Sequence, residues 1–247
     1  MSQIILRPHQ RTGDRFRLDG DEAHHLVNVL RKSPGDEIAV FDGEGRRFRA
    51  TITAIDAAQP SAEGQLVEEI RIEPARVRLR LFQGLPKGTK FDFVIEKAVE
   101  LGAAQILPFL SQKSLIKLDD KQARAKALRW KRLAEAAAKQ CDRADIPNVS
   151  PAALLGTLAD EIGVGTTILL STSPGATPLR RFLREKGGES GIINVVVGPE
   201  SGLTSAEEKR LVGLGAVAVS LGARILRTET AGLAALAILQ YELNSSD

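Results

Sequence analysis

The chain of 247 residues is long enough for one large domain or two unequal ones, and its 43% hydrophobic and 26% charged residues, with 22 Gly and 11 Pro, exclude disordered, collagen-like and fibrous classes. No apolar run reaches the roughly 18 residues of a membrane span, the opening MSQIILRPHQ lacks a long apolar stretch, and the single Cys141 excludes an internal disulfide, so a cytoplasmic protein is expected. The formal net charge of +3 is unevenly spread: residues 76–147 carry 16 basic against 8 acidic side chains, a net +8 between flanks of −3 and −2.

The first part reads as mostly strand. RFRLD (15–19), EIAVFD (37–42) and RRFRATITAID (46–56) are β-type runs, with Asp42-Gly43-Glu44-Gly45 closing a hairpin. DEAHHLVNVLRK has helical spacing, with Asp21 as candidate N-cap and Leu26, Val29 and Leu30 on one side. AAQPSAEG (57–64) reads as a turn-rich break from which QLVEEIRIE leads out. A small β-barrel with one helix is the simplest package.

From about residue 76 strands and helices alternate. VRLRLFQ precedes a helix from Thr89, whose face is Phe91, Val94, Ile95, Ala98, Val99 and Leu101 and which Gly102 ends. QILPFL, TTILLST, IINVVVG and AVAVSL are strands; KQARAKALRWKRLAEAAAKQC, TPLRRFLREKGG, TSAEEKRLVGLG and ILRTETAGLAALAILQYELN are helices. This alternation implies a largely parallel sheet covered on both faces, with a ligand beyond the carboxyl ends of its strands.

Several motifs fail on context. DEAH at 21–24 has no upstream phosphate loop, since Gly84-Leu-Pro-Lys-Gly-Thr-Lys90 has the wrong spacing for one. His9, His24 and His25 have no second ligand cluster, so no metal is expected. There is no G-x-G-x-x-G after a strand and no G-x-S-x-G. Cys141, ending an apolar-faced helix, reads as a small buried side chain.

Two loops carry the signal. INVVVGPESGLTSAEE runs a buried-type strand into Gly198-Pro199-Glu200-Ser201-Gly202, with the capping-box pairs Thr204/Glu207 and Ser205/Glu208 ready to start a helix. Alone, this is equally a tight structural turn. Leu221-Gly-Ala-Arg-Ile-Leu-Arg-Thr-Glu-Thr-Ala231 again follows a strand, with Arg224, Arg227 and Glu229 ahead of an apolar helix that Thr228 or Thr230 can cap. The plain reading is a helix cap and a surface ion pair. Two such loops leaving consecutive strands at one end of a sheet point to a shared pocket.

GPESGL, LGARILRTETA, KGTKFDFVIEKAVELG and KQCDRADIP together resemble the bacterial small-subunit (16S) ribosomal RNA uridine-N3 methyltransferases, the RsmE family of the SPOUT class. RTGDRFRLDGDEAHHLVNVLRKSPGDEIAVFDGEGRRFRATI is similar to that family's PUA-like RNA-binding domain. The resemblance implies two domains: a PUA-like β-barrel over 1–74, and over 75–247 an α/β SPOUT methyltransferase domain with a trefoil knot. It also implies a homodimer and S-adenosylmethionine as cofactor. Carried over, the cofactor loops are Leu170, Ser171 and Thr172; Gly198, Pro199, Glu200, Gly202 and Leu203; and Leu221, Gly222, Ile225 and Leu226. The family usually has a second glycine where Ser201 stands, and commonly Glu where Lys139 stands.

Methylating a uracil nitrogen requires in-line placement and loss of the N3 proton. Arg227 is the candidate for stabilising charge on the uracil carbonyl oxygens, and Glu229 is the candidate base or the group that positions Arg227. Arg224 or the partner subunit could exchange these roles. The +8 segment fits binding to ribosomal RNA, with Lys87, Lys90, Lys113, Arg129, Lys131, Arg132 and Arg143 as phosphate contacts. The alternatives are a SPOUT enzyme acting on ribose 2′-O, a noncatalytic RNA-binding assembly factor, and a nucleotide-dependent enzyme on an open α/β sheet.

Overall fold

In the computed structural model, which describes residues 3–186 and 191–244, alternation of apolar and polar side chains builds the first sheet. Its elements are β1 (Ile4–Ile5), β2 (Arg11–Thr12), β3 (Arg15–Leu18), helix α1 (Gly20–His24), β4 (Glu37–Phe41), β5 (Arg47–Asp56) and β6 (Ser61–Ile70). The order is β1-β4-β5-β6-β3-β2, antiparallel except for β1 on β4. Two register shifts between β5 and β6 bend the sheet into a curl. Phe16, Leu18, Val40, Phe48, Ala50 and Ile52 fill it, and Ala23 and Leu26 close it.

Three expectations are corrected here. Asp21 lies inside the first turn of α1; Asp19 is the N-cap residue, and the helix widens into a π-type turn over His25–Val29. The break at 57–64 is only four residues long, because β6 begins at Ser61 and pairs with β5. Gly64, a turn signal on composition, is a strand residue: a Cβ there would stand 2.3 Å from Phe16 Cζ, so its absence seats the aromatic ring. Cys141 is half-buried, not buried.

The second group of elements is β7 (Arg78–Gly84), α2 (Lys90–Glu100), β8 (Ala103–Leu110), α3 (Asp120–Gln140), β9 (Asn148–Val149), β10 (Ala153–Leu154), α4 (Ala159–Ile162), β11 (Thr166–Leu170), β12 (Thr177–Pro178), α5 (Leu179–Lys186), β13 (Ile192–Val197), α6 (Ser205–Gly213), β14 (Val217–Ser220) and α7 (Thr228–Asn244). Gly187 and Gly188, the end of the expected TPLRRFLREKGG helix, lie outside the described residues. All strand pairs are parallel, in the order β10-β8-β7-β13-β11-β14-β12, with β9 also on β8.

Side chains alternate across this sheet. Leu81 and Val197 approach Gly232 of α7 on one face. Phe82, Leu169 and Val196 pack with Leu155, Leu158, Ile162 and Leu211 on the other. Burial on both faces explains the continuous apolar strands. On α2, Phe91 meets Trp130 of α3 edge to face, with ring centroids 4.7 Å apart. Gly102 ends α2 with φ +81°, and Thr204 with Glu207 forms the capping box of α6; Ser205 with Glu208 does not.

The chain divides into two compact units: residues to Pro74 with Glu135–Ile146, and Ala75–Ala134 with the residues from Pro147 onward. Residues 135–146, within the span expected for the second domain, pack in the first compact unit. There Ala144 and Ile146 pack on Ile5 and Phe41, Asp145 bridges to Gly43 and Glu44, and Asp142 accepts hydrogen bonds from Gln3 and Arg47. Lys139 pairs with Glu22, and Arg7 with Glu135 at 2.5 Å. Among the described residues no helix is long and apolar enough to cross a membrane, and no group of three or more His, Cys, Asp or Glu could hold a metal ion.

Candidate functional site

β13, β11 and β14 are neighbours in the parallel sheet, so the loops that follow them leave the same edge side by side. Between them lies a cavity of about 540 Å³, within the range of small-molecule sites. Leu170, Ser171 and Thr172 reach it from β11; Gly198, Pro199, Glu200, Gly202 and Leu203 from β13; Leu221, Gly222, Ile225 and Leu226 from β14. Leu169, Val197 and Val219 add apolar lining, and Lys90, Ser173, Glu208, Arg224, Arg227, Thr228 and Ala231 complete it.

Local chemistry fixes each loop. The Gly202 N–H donates to the Pro199 carbonyl at 2.8 Å, closing a four-residue turn with Glu200 and Ser201 at its centre. Gly202 takes the left-handed φ of +72°, and Ser201 stays outside that region, so the serine sits in the turn without backbone strain. Ser111 Oγ donates to the Gly202 carbonyl, and Lys113 Nζ to the Leu203 carbonyl at 2.8 Å. At the β14 loop, Gly222 has φ +119°, and its N–H donates to Ser220 Oγ. The Ser171 N–H donates to the Val219 carbonyl, tying the β11 loop to β14.

Beneath the β13 loop lies a buried polar relay. Gln83 Nε2 donates to Thr228 Oγ1 at 2.8 Å, and Thr228 Oγ1 donates to the Gly198 carbonyl at 2.6 Å. The hydroxyl expected to cap α7 is thus spent on the loop. Gly84 makes room for it: a Cβ there would fall 2.3 Å from Pro199 N.

Charges of both signs meet at the cavity. Arg224 and Arg227 line it and are exposed. Glu229 is not among the lining residues; its Oε1 lies 3.5 Å from Lys90 Nζ, and its Oε2 is buried with no hydrogen-bond partner. Lys90 Nζ is also 3.0 Å from Glu200 Oε1. The hydrogen bond to Glu200 raises the Lys90 ammonium above its ordinary value. Burial pushes the Glu200 carboxyl up, but hydrogen bonds from Lys90 and from the backbone of Glu200 and Lys87 outweigh it and hold the group low.

The basic residues proposed for RNA are scattered. Lys131 and Arg132 are exposed on α3, Arg132 opposite the buried face of Ala127, Trp130 and Ala134 and Lys131 at its edge. Arg129 pairs with Asp92 at 2.5 Å, Lys113 is tied to Leu203, and Lys90 faces two carboxylates. Lys87 is exposed beside the Glu200 turn. Arg143 pairs with Asp145 at 2.6 Å and belongs to the other unit. Sequence reasoning missed Lys90 as a cavity residue and missed the Gln83–Thr228 relay. The signal for Lys90 was its place at the first helical residue after β7, on the ligand-bearing edge of the sheet.

A family model described as an RNA methyltransferase domain matches residues 73–240, and one described as an RNA methyltransferase PUA domain matches residues 18–59. The chain is similar to the Ribosomal RNA small subunit methyltransferase E of Bacillus subtilis, 35% identical over 233 residues that span 92% of this chain and 90% of that protein. Among solved structures it is similar to a Ribosomal RNA small subunit methyltransferase E from Neisseria gonorrhoeae bound to S-adenosylmethionine, with 31% identity, a TM-score of 0.84, and 98% and 97% of the two chains covered. A Legionella pneumophila protein solved in complex with the same cofactor is 25% identical, with a TM-score of 0.83 and 97% of each chain covered.

Proposed function

The chain belongs to the small-subunit ribosomal RNA methyltransferase E family, and from that membership we propose that it transfers a methyl group from S-adenosylmethionine to N3 of a uridine in small-subunit ribosomal RNA. The observation that carries this reading is the cavity at the carboxyl ends of β13, β11 and β14, which three short loops line with both backbone groups and apolar side chains.

The residues present fit the cofactor. Leu169, Leu170, Val197, Val219, Leu221, Ile225 and Leu226 offer an apolar bed for a purine, and the glycine-bearing turns bring backbone donors and acceptors to its edge. When bound, S-adenosylmethionine supplies a methyl group already activated on its sulfonium. The chain's part is to hold the acceptor in line and manage one proton. Glu229 takes the N3 proton or positions Arg227, and the Arg227 guanidinium faces the charge that develops on the uracil carbonyl oxygens. Arg224, on the same loop, is the alternative cation.

The PUA domain and the exposed face of α3 are the RNA contacts, and they act on the phosphate backbone, not on base identity. The functional particle is a homodimer with a knotted second domain, as the family resemblance implies. Exposed Ile238 and Tyr241 on α7 supply an apolar face for a second copy.

The test is incubation with labelled S-adenosylmethionine and small ribosomal subunits lacking the modification, followed by identification of the labelled nucleoside. Label in N3-methyluridine is expected; label only at ribose 2′-O overturns the acceptor assignment, and no cofactor binding by calorimetry favours an assembly factor. Arg227→Ala and Glu229→Ala that both keep normal turnover overturn the residue roles.

A further inference from the structure

We infer that Lys90 is a positioning residue for methyl transfer, clamping Glu229 of α7 and Glu200 of the Pro199–Gly202 turn so that Glu229 presents its second carboxylate oxygen to the acceptor base. This rests on the reading of Glu229 given above.

Lys90 is the first residue of α2. The positive end of a helix dipole disfavours a cation there, so the helix itself gives no reason for lysine at this position. The reason lies across the cavity. The ammonium is 3.0 Å from Glu200 Oε1 and 3.5 Å from Glu229 Oε1, and it lines the cavity together with Glu200, while Glu229 stands behind the lining in the first turn of α7. One cation thus joins the turn after β13 to the start of α7, two elements with no covalent reason to keep a fixed separation.

The two oxygens of Glu229 have different fates. Oε1 faces Lys90, and Oε2 is buried without a partner, in a side chain only 14% exposed. An unpaired buried acceptor is costly, more so when charged, and a ligand donor would relieve that cost. An imide N–H, one donor flanked by two carbonyls, is the group a single carboxylate oxygen suits. With its other oxygen free to turn, the carboxylate would lose that aim; Lys90 removes the freedom. Without the cation, Glu200 and Glu229 would also be two negative charges that no longer share a counter-ion.

The experiment compares the full-length chain with Lys90→Met, which keeps length and removes charge, and with Lys90→Arg, whose fork can bridge two carboxylates. Each is assayed on small ribosomal subunits lacking the methyl group. For Lys90→Met we expect kcat to fall about 50-fold, with cofactor Kd within about threefold of wild type and an unchanged salt dependence of RNA binding. Lys90→Arg should recover about tenfold of the loss. A Lys90→Met chain that turns over normally overturns the inference, as does a loss carried wholly by KM with a shallower salt dependence, the mark of a phosphate contact. Should Lys90→Met not fold, Glu200→Gln loosens the clamp from the turn side: a kcat about fivefold lower at constant KM supports it, and an unchanged kcat overturns it. The wild-type control separates the two readings. No N3 label from wild type overturns the function itself, whereas equal label from wild type and Lys90→Met overturns only the role of Lys90.

Discussion

Thr228 donates its hydroxyl proton to the Gly198 carbonyl at 2.6 Å while accepting from Gln83, and this joins the first residue of α7 to the loop that frames the cavity. Gln83 is fully buried, and its Nε2 also donates to the Gly84 carbonyl. Thr228→Val keeps the shape and removes the hydroxyl, leaving a carbonyl and an amide donor unpaired in a buried place. The expected cost is about 2 kcal/mol of stability and about a tenfold weaker cofactor Kd, with Thr228→Ser close to wild type. Calorimetry with S-adenosylmethionine and urea denaturation check it; a valine variant that binds like wild type removes the relay from the account of the site.

The close approach of β7 to the same loop makes a second prediction. A Cβ on Gly84 would meet Pro199 N at 2.3 Å, Pro199 Cδ at 2.5 Å and the Gly198 carbonyl carbon at 2.7 Å, and none of these atoms can swing aside. Gly84→Ala should cost about 1–3 kcal/mol and displace the loop, so that cofactor affinity suffers along with stability. Gly213, at the end of α6, has nothing within 4 Å of such a Cβ and no positive φ. Gly213→Ala should therefore be neutral or stabilise by up to about 1 kcal/mol. Equal losses in the two variants would show that steric closeness at Gly84 is not the cause.

What was legible in the sequence was whatever is encoded locally. The capping box of Thr204 and Glu207, the stop at Gly102 and the apolar runs of β7, β8, β11 and β13 each reside within a few residues. The Gly198–Gly202 and Leu221–Ala231 loops followed from strand ends and glycine placement, whereas the Leu170–Thr172 loop came only with the family resemblance. What stayed hidden was long-range. Gln83 and Thr228 are 145 positions apart, and Gln3 and Asp142 are 139 apart, so no window contains both partners. Gly64 misled because its role is to admit Phe16, a residue of another strand. The helical period of α3 runs unbroken from Asp120 to Gln140, so it carries no mark at Glu135, where the chain passes from one compact unit to the other.

The Lys90–Glu200 pair sets a pH window. Glu200 is held below its ordinary value, so its contribution is present above the carboxylate range and lost as pH falls through that depressed value. Lys90 is raised, so its contribution is present below the ordinary lysine value and lost as pH rises through the raised one. The stability gap between wild type and Glu200→Gln should therefore be flat between about pH 6 and pH 9, and should close on acidification below about pH 4. Thermal denaturation across that range measures it. A gap that widens as the solution is acidified would mean the pair does not hold Glu200 ionised.

The exposed stripe of α3 should govern RNA affinity without governing cofactor affinity. Arg132 stands opposite the buried face formed by Ala127, Trp130 and Ala134, Lys131 is exposed at the edge of that face, and among the described residues neither is engaged in an ion pair. Their charges are free to displace counterions from phosphates, whereas that of Arg129 is offset by Asp92 at 2.5 Å. Each phosphate neutralised contributes about 0.7–0.9 to the slope of log K against log salt. The double variant Lys131→Ala, Arg132→Ala should lower that slope by about 1.5 and weaken binding by a similar factor on any RNA sequence. Arg129→Ala should change it by less than half as much per residue, because removing a paired charge also frees its acid. Filter binding at a series of salt concentrations reads both numbers. A double variant whose slope equals that of wild type would move the RNA path off this face of α3, leaving Lys87 beside the Glu200 turn as the next residue to test.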